Sequence, residues 1–200
     1  STEGESGIYA LEISHDGEHF AVGRGSPENS IEYWHSILGE KLFVLEGHQN
    51  SVGSLAFHPN DAILASGSMD KSIRLWDLNS GRELAQLEGH QGSIQCIEFC
   101  NDGLWLASGA MDGTIRVWDV ATGRLTSLLA GHKGFVQHLD SNPSGNYLVS
   151  SSPIDQTIRL WDLAAFERTK LRGHSSYVYD VAVNHDSTRL ASVSWDGWLG

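Results

Sequence analysis

Histidine, serine and aspartate recur in this chain at fixed spacing, and they are the residue types of a nucleophilic Ser-His-Asp triad. From the His, the Ser follows after 18 residues, the Asp after 22 or 23 and a Trp after 28 or 29. A triad is a single site, whereas these residues return several times in the same order, which argues against catalysis. The sets are His48, Ser66, Asp70 and Trp76; His90, Ser108, Asp112 and Trp118; His132, Ser150, Asp155 and Trp161; and His174, Ser192 and Asp196.

The elements that must position these residues are short strands in a repeated unit. Gly-His pairs end at His48, His90, His132 and His174, which are 42 residues apart, and a fixed period of this length indicates a repeat architecture. The third unit predicts strands at about 93–100, 104–110, 114–119 and 124–129, separated by turn sequences such as Asp112-Gly113. Four short antiparallel strands cannot bury both apolar faces alone, so like units stack by radial repetition into an all-β propeller.

The repeated frame of Gly-His, Asp and Trp-Asp resembles the WD-repeat β-propeller family over nearly the whole chain. The resemblance implies four-stranded antiparallel blades, with four blades and an incomplete fifth. It also implies that each His, Ser, Asp and Trp form a structural hydrogen-bond network, which ties the loop before the first strand to the second and third strands. The expected blades, in a single region of residues 1–200, span about 7–48, 51–90, 93–132, 135–174 and, in part, 177–200.

The first and last units depart from this frame. Counting back 42 residues from His48, Ser66 and Asp70 gives Ser6, Arg24 and Glu28, so only Trp34 of the set remains. We expect a first blade that is held by packing and is looser than the others. The Trp of the fifth unit falls past Gly200, so we expect further blades there. The alternative is a five-bladed ring that is left open or completed by another copy, with self-association through the incomplete last blade.

Composition limits the partners. The net charge of -12 argues against binding to a nucleic-acid backbone or to an anionic membrane, because both need a basic surface. No apolar run is long enough to cross a membrane and no signal peptide is recognisable, so we expect a cytoplasmic location.

The sequence offers no recognisable site for a metal or a cofactor, and we expect neither. Cys96 and Cys100 lie in one predicted strand, where their Cα atoms would be about 13 Å apart, too far for a disulfide, so we expect reduced thiols. The histidines outside the repeated sets lack metal-ligand spacing.

Resemblance to the WD-repeat family also implies where a partner binds. Three positions in each blade lie on the face where the first strand begins: the residues on either side of its first apolar residue, and the residue before the network Asp. In this sequence they include Gly7, Ser51, Gly53, Ser93, Gln95 and Gln137. The candidates for partner binding among them are Tyr9, Met69, Met111, Phe135, Ile154, Tyr177, Tyr179 and Trp195. Packing against neighbouring loops is the alternative interpretation of these side chains.

Arg74, Arg116 and Arg159 each stand two residues before a Trp. An acidic ligand is one interpretation of the recurrence, but a fixed strand position favours a role on the blade surface.

The leading hypothesis is a non-catalytic scaffold that binds a peptide or protein, as the WD-repeat family does. The alternative is the sensor or regulatory region of a larger signalling enzyme, such as a kinase or an NTPase. A propeller that is itself an enzyme would need a cluster of ionisable groups in its channel, which the sequence does not reveal.

Overall fold

Short apolar runs separated by turns form β-strands throughout the described part of the chain. The computed structural model describes residues 6–142, 144–163, 167–171 and 173–197. Eighteen strands and no helix occur there, and none of these residues forms a helix that could cross a membrane. The chain divides after Gly89 into two compact units, which are described separately.

The first unit holds two four-stranded antiparallel sheets, each with its strands in sequence order. The first sheet consists of β1 (Ile8–Ile13), β2 (His19–Arg24), β3 (Ile31–His35) and β4 (Glu40–Leu45). The second consists of β5 (Val52–Phe57), β6 (Ile63–Ser68), β7 (Ile73–Asp77) and β8 (Arg82–Leu87).

The second unit continues the pattern with two four-stranded sheets and a two-stranded one. The third sheet consists of β9 (Ile94–Cys100), β10 (Trp105–Ala110), β11 (Thr114–Asp119) and β12 (Arg124–Ala130). The fourth consists of β13 (His138–Ser141), β14 (Tyr147–Ser152), β15 (Thr157–Asp162) and β16 (Glu167–Leu171), and the fifth pairs β17 (Val178–Val183) with β18 (Leu190–Ser194). The expected all-β fold of four-stranded antiparallel blades is confirmed, and the predicted strands of the third unit end within one residue of the observed ones.

Burial differs between the inner and outer strands of a sheet. The second strand, such as β14 of the second unit, is buried along nearly its whole length, because core clusters cover both of its faces, one at Leu148 and one at Val149. The fourth strand, such as β8, is mostly exposed. The core of the first unit joins its two sheets through Ile31, Tyr33, Phe57, Leu64 and Trp76.

In the second unit, one core cluster joins the third and fourth sheets and another joins the fourth and fifth. The backbone amide of Val136 donates to the carbonyl of Ala110 over 3.1 Å, which ties the start of the fourth blade to the end of β10. Cys96 and Cys100 are free and buried in this core, and burial raises the pKa of both thiols. These cysteines are therefore packing residues with unreactive thiols.

The turns between first and second strands hold neighbouring sheets together at the opposite end from the b–c turns, the connections between second and third strands. In the first unit, Asp61 accepts the backbone amides of His15 and Asp16, each over 3.0 Å. In the second unit, the Asn142 side chain donates to Ser187 over 3.0 Å. These turns thus tie neighbouring sheets together within each unit.

Candidate functional site

Each repeated polar set forms one continuous hydrogen-bonded chain inside its sheet. The distance from His Nδ1 to the Asp carboxylate is 2.8 Å at His48, 2.9 Å at His90, and 3.0 Å at His132 and His174. On the other side of the ring, Nε2 lies 2.7–2.9 Å from the Ser hydroxyl in the four sets. In the first three sets, the Trp Nε1–H donates to that hydroxyl over 2.9 Å.

Chemistry fixes the direction of these bonds. An ionised carboxylate only accepts, so His90 must carry its proton on Nδ1 and donate it to Asp112. Its Nε2 then accepts from Ser108, whose oxygen accepts in turn from Trp118. Every polar atom along the chain has a partner, which is the condition for burying such groups without a large cost.

The Asp side chain also organises the turns around it. Its carboxylate accepts the backbone amide of the residue after the His, at Gln49, Gln91, Lys133 and Ser175, over 2.8–2.9 Å. In three sets, a hydroxyl two residues further along donates to the same carboxylate, from Ser72, Thr114 and Thr157. This hydroxyl was not predicted from the sequence, although Ser or Thr recurs two residues after the Asp in these three sets.

Burial and hydrogen bonding change the pKa values of these groups. Burial alone would raise the pKa of Asp112, but donors from Thr114, Gln91 and His90 lower it to about 2. Burial lowers the pKa of His90 and of His132, and outweighs the opposite effect of their Asp partners. Near neutral pH, each of these pairs therefore combines a neutral imidazole with a carboxylate.

The same geometry disqualifies these sets as nucleophilic triads. Ser66, Ser108 and Ser150 are 0% exposed, so a substrate cannot reach their hydroxyls. Each hydroxyl also accepts the Trp Nε1–H, a bond that attack on a substrate would have to break.

The first sheet has a different polar set, built around Glu32. The register pairs Val22 with Glu32 as it pairs Ser66 with Arg74, so Val22, not Arg24, occupies the Ser position. The 42-residue count fails here because the loop between β2 and β3 is two residues longer than that between β6 and β7.

Glu32 is 7% exposed and its carboxylate accepts from three donors. Arg24 donates over 2.9 Å, Lys41 over 2.6 Å and Trp34 Nε1 over 3.2 Å. Burial alone would raise the pKa of Glu32, but hydrogen bonds from Lys41 and Arg24 outweigh it and lower the pKa. The expectation that packing alone holds this blade is wrong, because a charged hydrogen-bonded set replaces the missing one.

Arg74 packs on its own sheet, with 12% of its side chain exposed. Its guanidinium donates to Glu83 and packs against Gly47, where an added Cβ would lie 2.5 Å from Nη1. Arg159, at the same position of the fourth sheet, is 7% exposed, so the expected role on the blade surface is wrong for these two side chains. Their burial also argues against an acidic ligand at this position.

Within each sheet, the predicted partner-binding positions lie near the start of the first strand or in the b–c turn beside it. In four of the sheets, the first strand contains a bulge with one extra residue. The extra residues are Tyr9, Gly53, Gln95 and Tyr179. Such a bulge re-aims the side chain at the end of a strand. The amides of Met69, Met111 and Trp195 donate to Ser51, Ser93 and Tyr177 at the start of the first strand, over 2.9–3.1 Å.

Most of these side chains are exposed. Trp195 is 71% exposed, Met111 54% and Ile154 53%, and Tyr9, Met69 and Tyr177 are also exposed. Phe135 and Tyr179 are partly buried. Ile154 packs on Gly134, where an added Cβ would lie 2.3 Å from the Ile154 Cβ. Glycine therefore lets the b–c turn approach the loop before the fourth blade.

Metal binding was not expected from the sequence. Among the described residues, no group of three His, Cys, Asp or Glu side chains is arranged to hold a metal ion.

Comparison with known proteins agrees with the repeated frame. The family model described as WD domain, G-beta repeat matches residues 39–77, 81–119, 123–162 and 166–199. The first match begins just before β4 and runs through β7, so it combines the outer strand of one sheet with three strands of the next. No curated protein matches the chain. The family model covers well over half of the 200 residues, and the chain therefore belongs to the WD40 repeat family.

Proposed function

We propose that this chain is a non-catalytic scaffold that binds a peptide or protein on the face formed by the starts of the first strands and the b–c turns. WD40 repeats generally mediate protein–protein interactions. One observation carries the choice of face: in four sheets, exposed apolar or aromatic side chains stand at this edge, while the recurrent polar residues are buried beneath it. Apolar and aromatic residues gathered on an exposed edge are typical of binding hot spots.

The partner is a protein or peptide, because a net charge of -12 repels a phosphate backbone. The buried state of the Ser hydroxyls supports a non-catalytic role for the repeated sets. A regulatory region of a larger kinase or NTPase, a cytoplasmic location and self-association through the last sheet stay predictions.

Peptide selection tests the proposed face. Peptides are selected from a random phage library on the immobilised chain, and their affinities are then measured by calorimetry. We expect the double variant Tyr179→Ala/Trp195→Ala to bind the selected peptides at least about tenfold more weakly, since two hot-spot side chains are lost. The matched control is Leu104→Ala, which removes another exposed apolar side chain from the turn between β9 and β10, at the other end of the third sheet.

Equal affinity of the double variant and the unchanged chain, with unchanged far-ultraviolet circular dichroism, would mean that these aromatic side chains are packing residues. A loss caused by Leu104→Ala alone would place binding at the opposite end of the sheets.

A further inference from the structure

Three aromatic side chains contact one another at the exposed edge of the fifth sheet. The rings of Tyr177 and Tyr179 are nearly perpendicular, at 87°, with centroids 6.4 Å apart. The Trp195 ring is tilted by 49° and 47° to them, with centroid distances of 5.5 and 5.3 Å. These three residues, named here the aromatic corner, present three contacting rings in different orientations.

Backbone geometry builds the aromatic corner. Val178 pairs with Ser194 but Asp180 pairs with Val193, so Tyr179 is the extra residue of a bulge and lies beside Tyr177. The amide of Trp195 donates to the carbonyl of Tyr177 over 3.1 Å, which holds the b–c turn against the start of β17. The rings are thus placed by main-chain hydrogen bonds before any ligand arrives.

Corresponding positions elsewhere do not form such a group. They hold Ser51, Gly53 and Met69 in the second sheet, and Ser93, Gln95 and Met111 in the third. In the fourth they hold Phe135, Gln137 and Ile154. Three large rings, of which Trp195 is 71% exposed, are more than packing requires at this edge.

Ring chemistry indicates the ligand. Aromatic faces attract cations whose centre lies within about 6 Å of the ring centroid, and a cation above three centroids as close as these lies within that distance of all three. The net charge of -12 also draws cationic groups to the chain. We propose that the aromatic corner binds the trimethylated ammonium of a lysine side chain in a partner protein, an inference that rests on the proposed function.

The chemistry of the nitrogen favours the trimethylated form over a plain ammonium. A primary ammonium placed against ring faces loses hydrogen bonds to water, and an aromatic face offers no full acceptor in exchange. A trimethylated nitrogen has no N–H to satisfy and keeps its positive charge, so it loses no such bonds at the rings.

Peptide titration of the full chain, followed by the NMR signal of the Trp195 indole, tests this inference. The probes are three acetylated Gly-X-Gly amides, in which X is trimethyl-lysine, lysine or the uncharged carbon isostere that ends in a tert-butyl group; choline is the fourth probe. We expect the trimethyl-lysine peptide to bind about tenfold more tightly than the lysine peptide and the isostere, because only it presents a weakly hydrated cation to the rings. It should also bind more tightly than choline.

Variants locate the binding. Trp195→Ala and Tyr179→Ala should each weaken the trimethyl-lysine peptide about tenfold, and Trp195→Phe, which keeps a ring, should weaken it less. Tyr147→Ala is the matched control, since Tyr147 is an exposed aromatic residue at the start of β14, at the opposite end of the fourth sheet from the b–c turn, and it should leave the affinity unchanged. The Trp195→Phe variant also assigns the indole signal.

Equal affinities for the trimethyl-lysine peptide and its uncharged isostere would overturn the inference, because they would show apolar contact alone. Absence of binding would overturn it as well, and tighter binding of choline would assign the site to a free or lipid quaternary ammonium. Failure of the trimethyl-lysine probe leaves the proposed function standing if the phage-selected peptides still depend on Tyr179. If those peptides ignore Tyr179 and Trp195, the proposed function itself fails.

Discussion

The first and second sheets lie in the same unit and share the same strand order, yet they provide the Trp indole N–H with different acceptors. In the second sheet, Trp76 donates to the hydroxyl of Ser66, which continues to His48 and Asp70. In the first, Val22 replaces that Ser, and Trp34 donates to the Glu32 carboxylate instead. The indole N–H has an acceptor in both sheets, although the acceptors are chemically unrelated.

The two sheets also carry an ion pair at equivalent strand positions, with the acidic and basic residues interchanged. Arg74 and Glu83 pair in the second sheet, where Glu32 and Lys41 pair in the first. A four-stranded sheet of this kind therefore requires an acceptor for the indole N–H and a partner for each charge, and more than one set of residues supplies them.

Truncation of Trp76 and of Trp34 should reveal the largest difference in stability between the two sheets. Trp76 is 2% exposed, so Trp76→Ala leaves a cavity and removes one hydrogen bond to Ser66, and we expect the free energy of unfolding to fall by about 3–5 kcal/mol. Trp34 is only partly buried, so Trp34→Ala should cost about half as much. Urea denaturation measures both, and equal losses would contradict the difference between the two sets.

Isosteric changes of the two acids should have intermediate effects. Asp70→Asn, like Asp112→Asn in the third sheet, disturbs a buried network and should cost about 1–3 kcal/mol, or several degrees in thermal midpoint. Glu32→Gln should cost about 1–2 kcal/mol, because its partners Arg24 and Lys41 retain contact with water.

Salt should distinguish these two acids. Raising sodium chloride from about 0.05 to 0.5 M should shrink the cost of Glu32→Gln more than that of Asp70→Asn, since the first set contains two partly exposed cations. The same dependence on salt for both variants would show that the sets are electrostatically alike.

Acid should affect the histidine-containing sheets first. Burial lowers the pKa of His90 and His132, so the unfolded chain binds more protons than the folded one below about pH 6.5, and stability falls as the pH drops from there. The contributions of Asp112 and Glu32, whose pKa values are lowered in the fold, are present above about pH 4 and are lost as the pH falls further. Urea midpoints of the unchanged chain and of Glu32→Gln should therefore run parallel from pH 7.5 to 5 and converge below pH 4.

Reversing the charge of Glu83, the partner of Arg74, should have the smallest effect. Glu83→Lys places a cation beside Arg74 and should cost at most about 1 kcal/mol, because the pair is partly exposed. The double variant Arg74→Glu/Glu83→Lys copies the order found in the first sheet and should recover most of that loss. A double variant as unstable as the single one would mean that the two positions are not equivalent.

Much of the fold is predictable from the sequence because the strands and turns repeat with a strict period. The third unit shows this, since its turns at Asn101-Asp102-Gly103 and Asp112-Gly113 fix the strand ends. The first unit shows the limit: two extra loop residues shift Val22 into the Ser position, and no local pattern reveals that Arg24 and Lys41 both reach Glu32.

For the candidate site, the repeat spacing predicts which residues lie near the start of each first strand, but it does not predict which of their side chains contact one another. The bulge at Tyr179 and its packing against Trp195 depend on strand register, which single residues do not encode.

The central claim is that the repeated polar sets are structural hydrogen-bond networks inside the sheets. Nitrogen NMR of the histidine rings tests this claim most directly. At pH 7, His90 and His132 should be neutral, carry the proton on Nδ1 and exchange it slowly with water, because Nδ1–H donates to Asp112 and Asp155. Rings protonated on Nε2, or charged and in fast exchange with solvent, would contradict the claim.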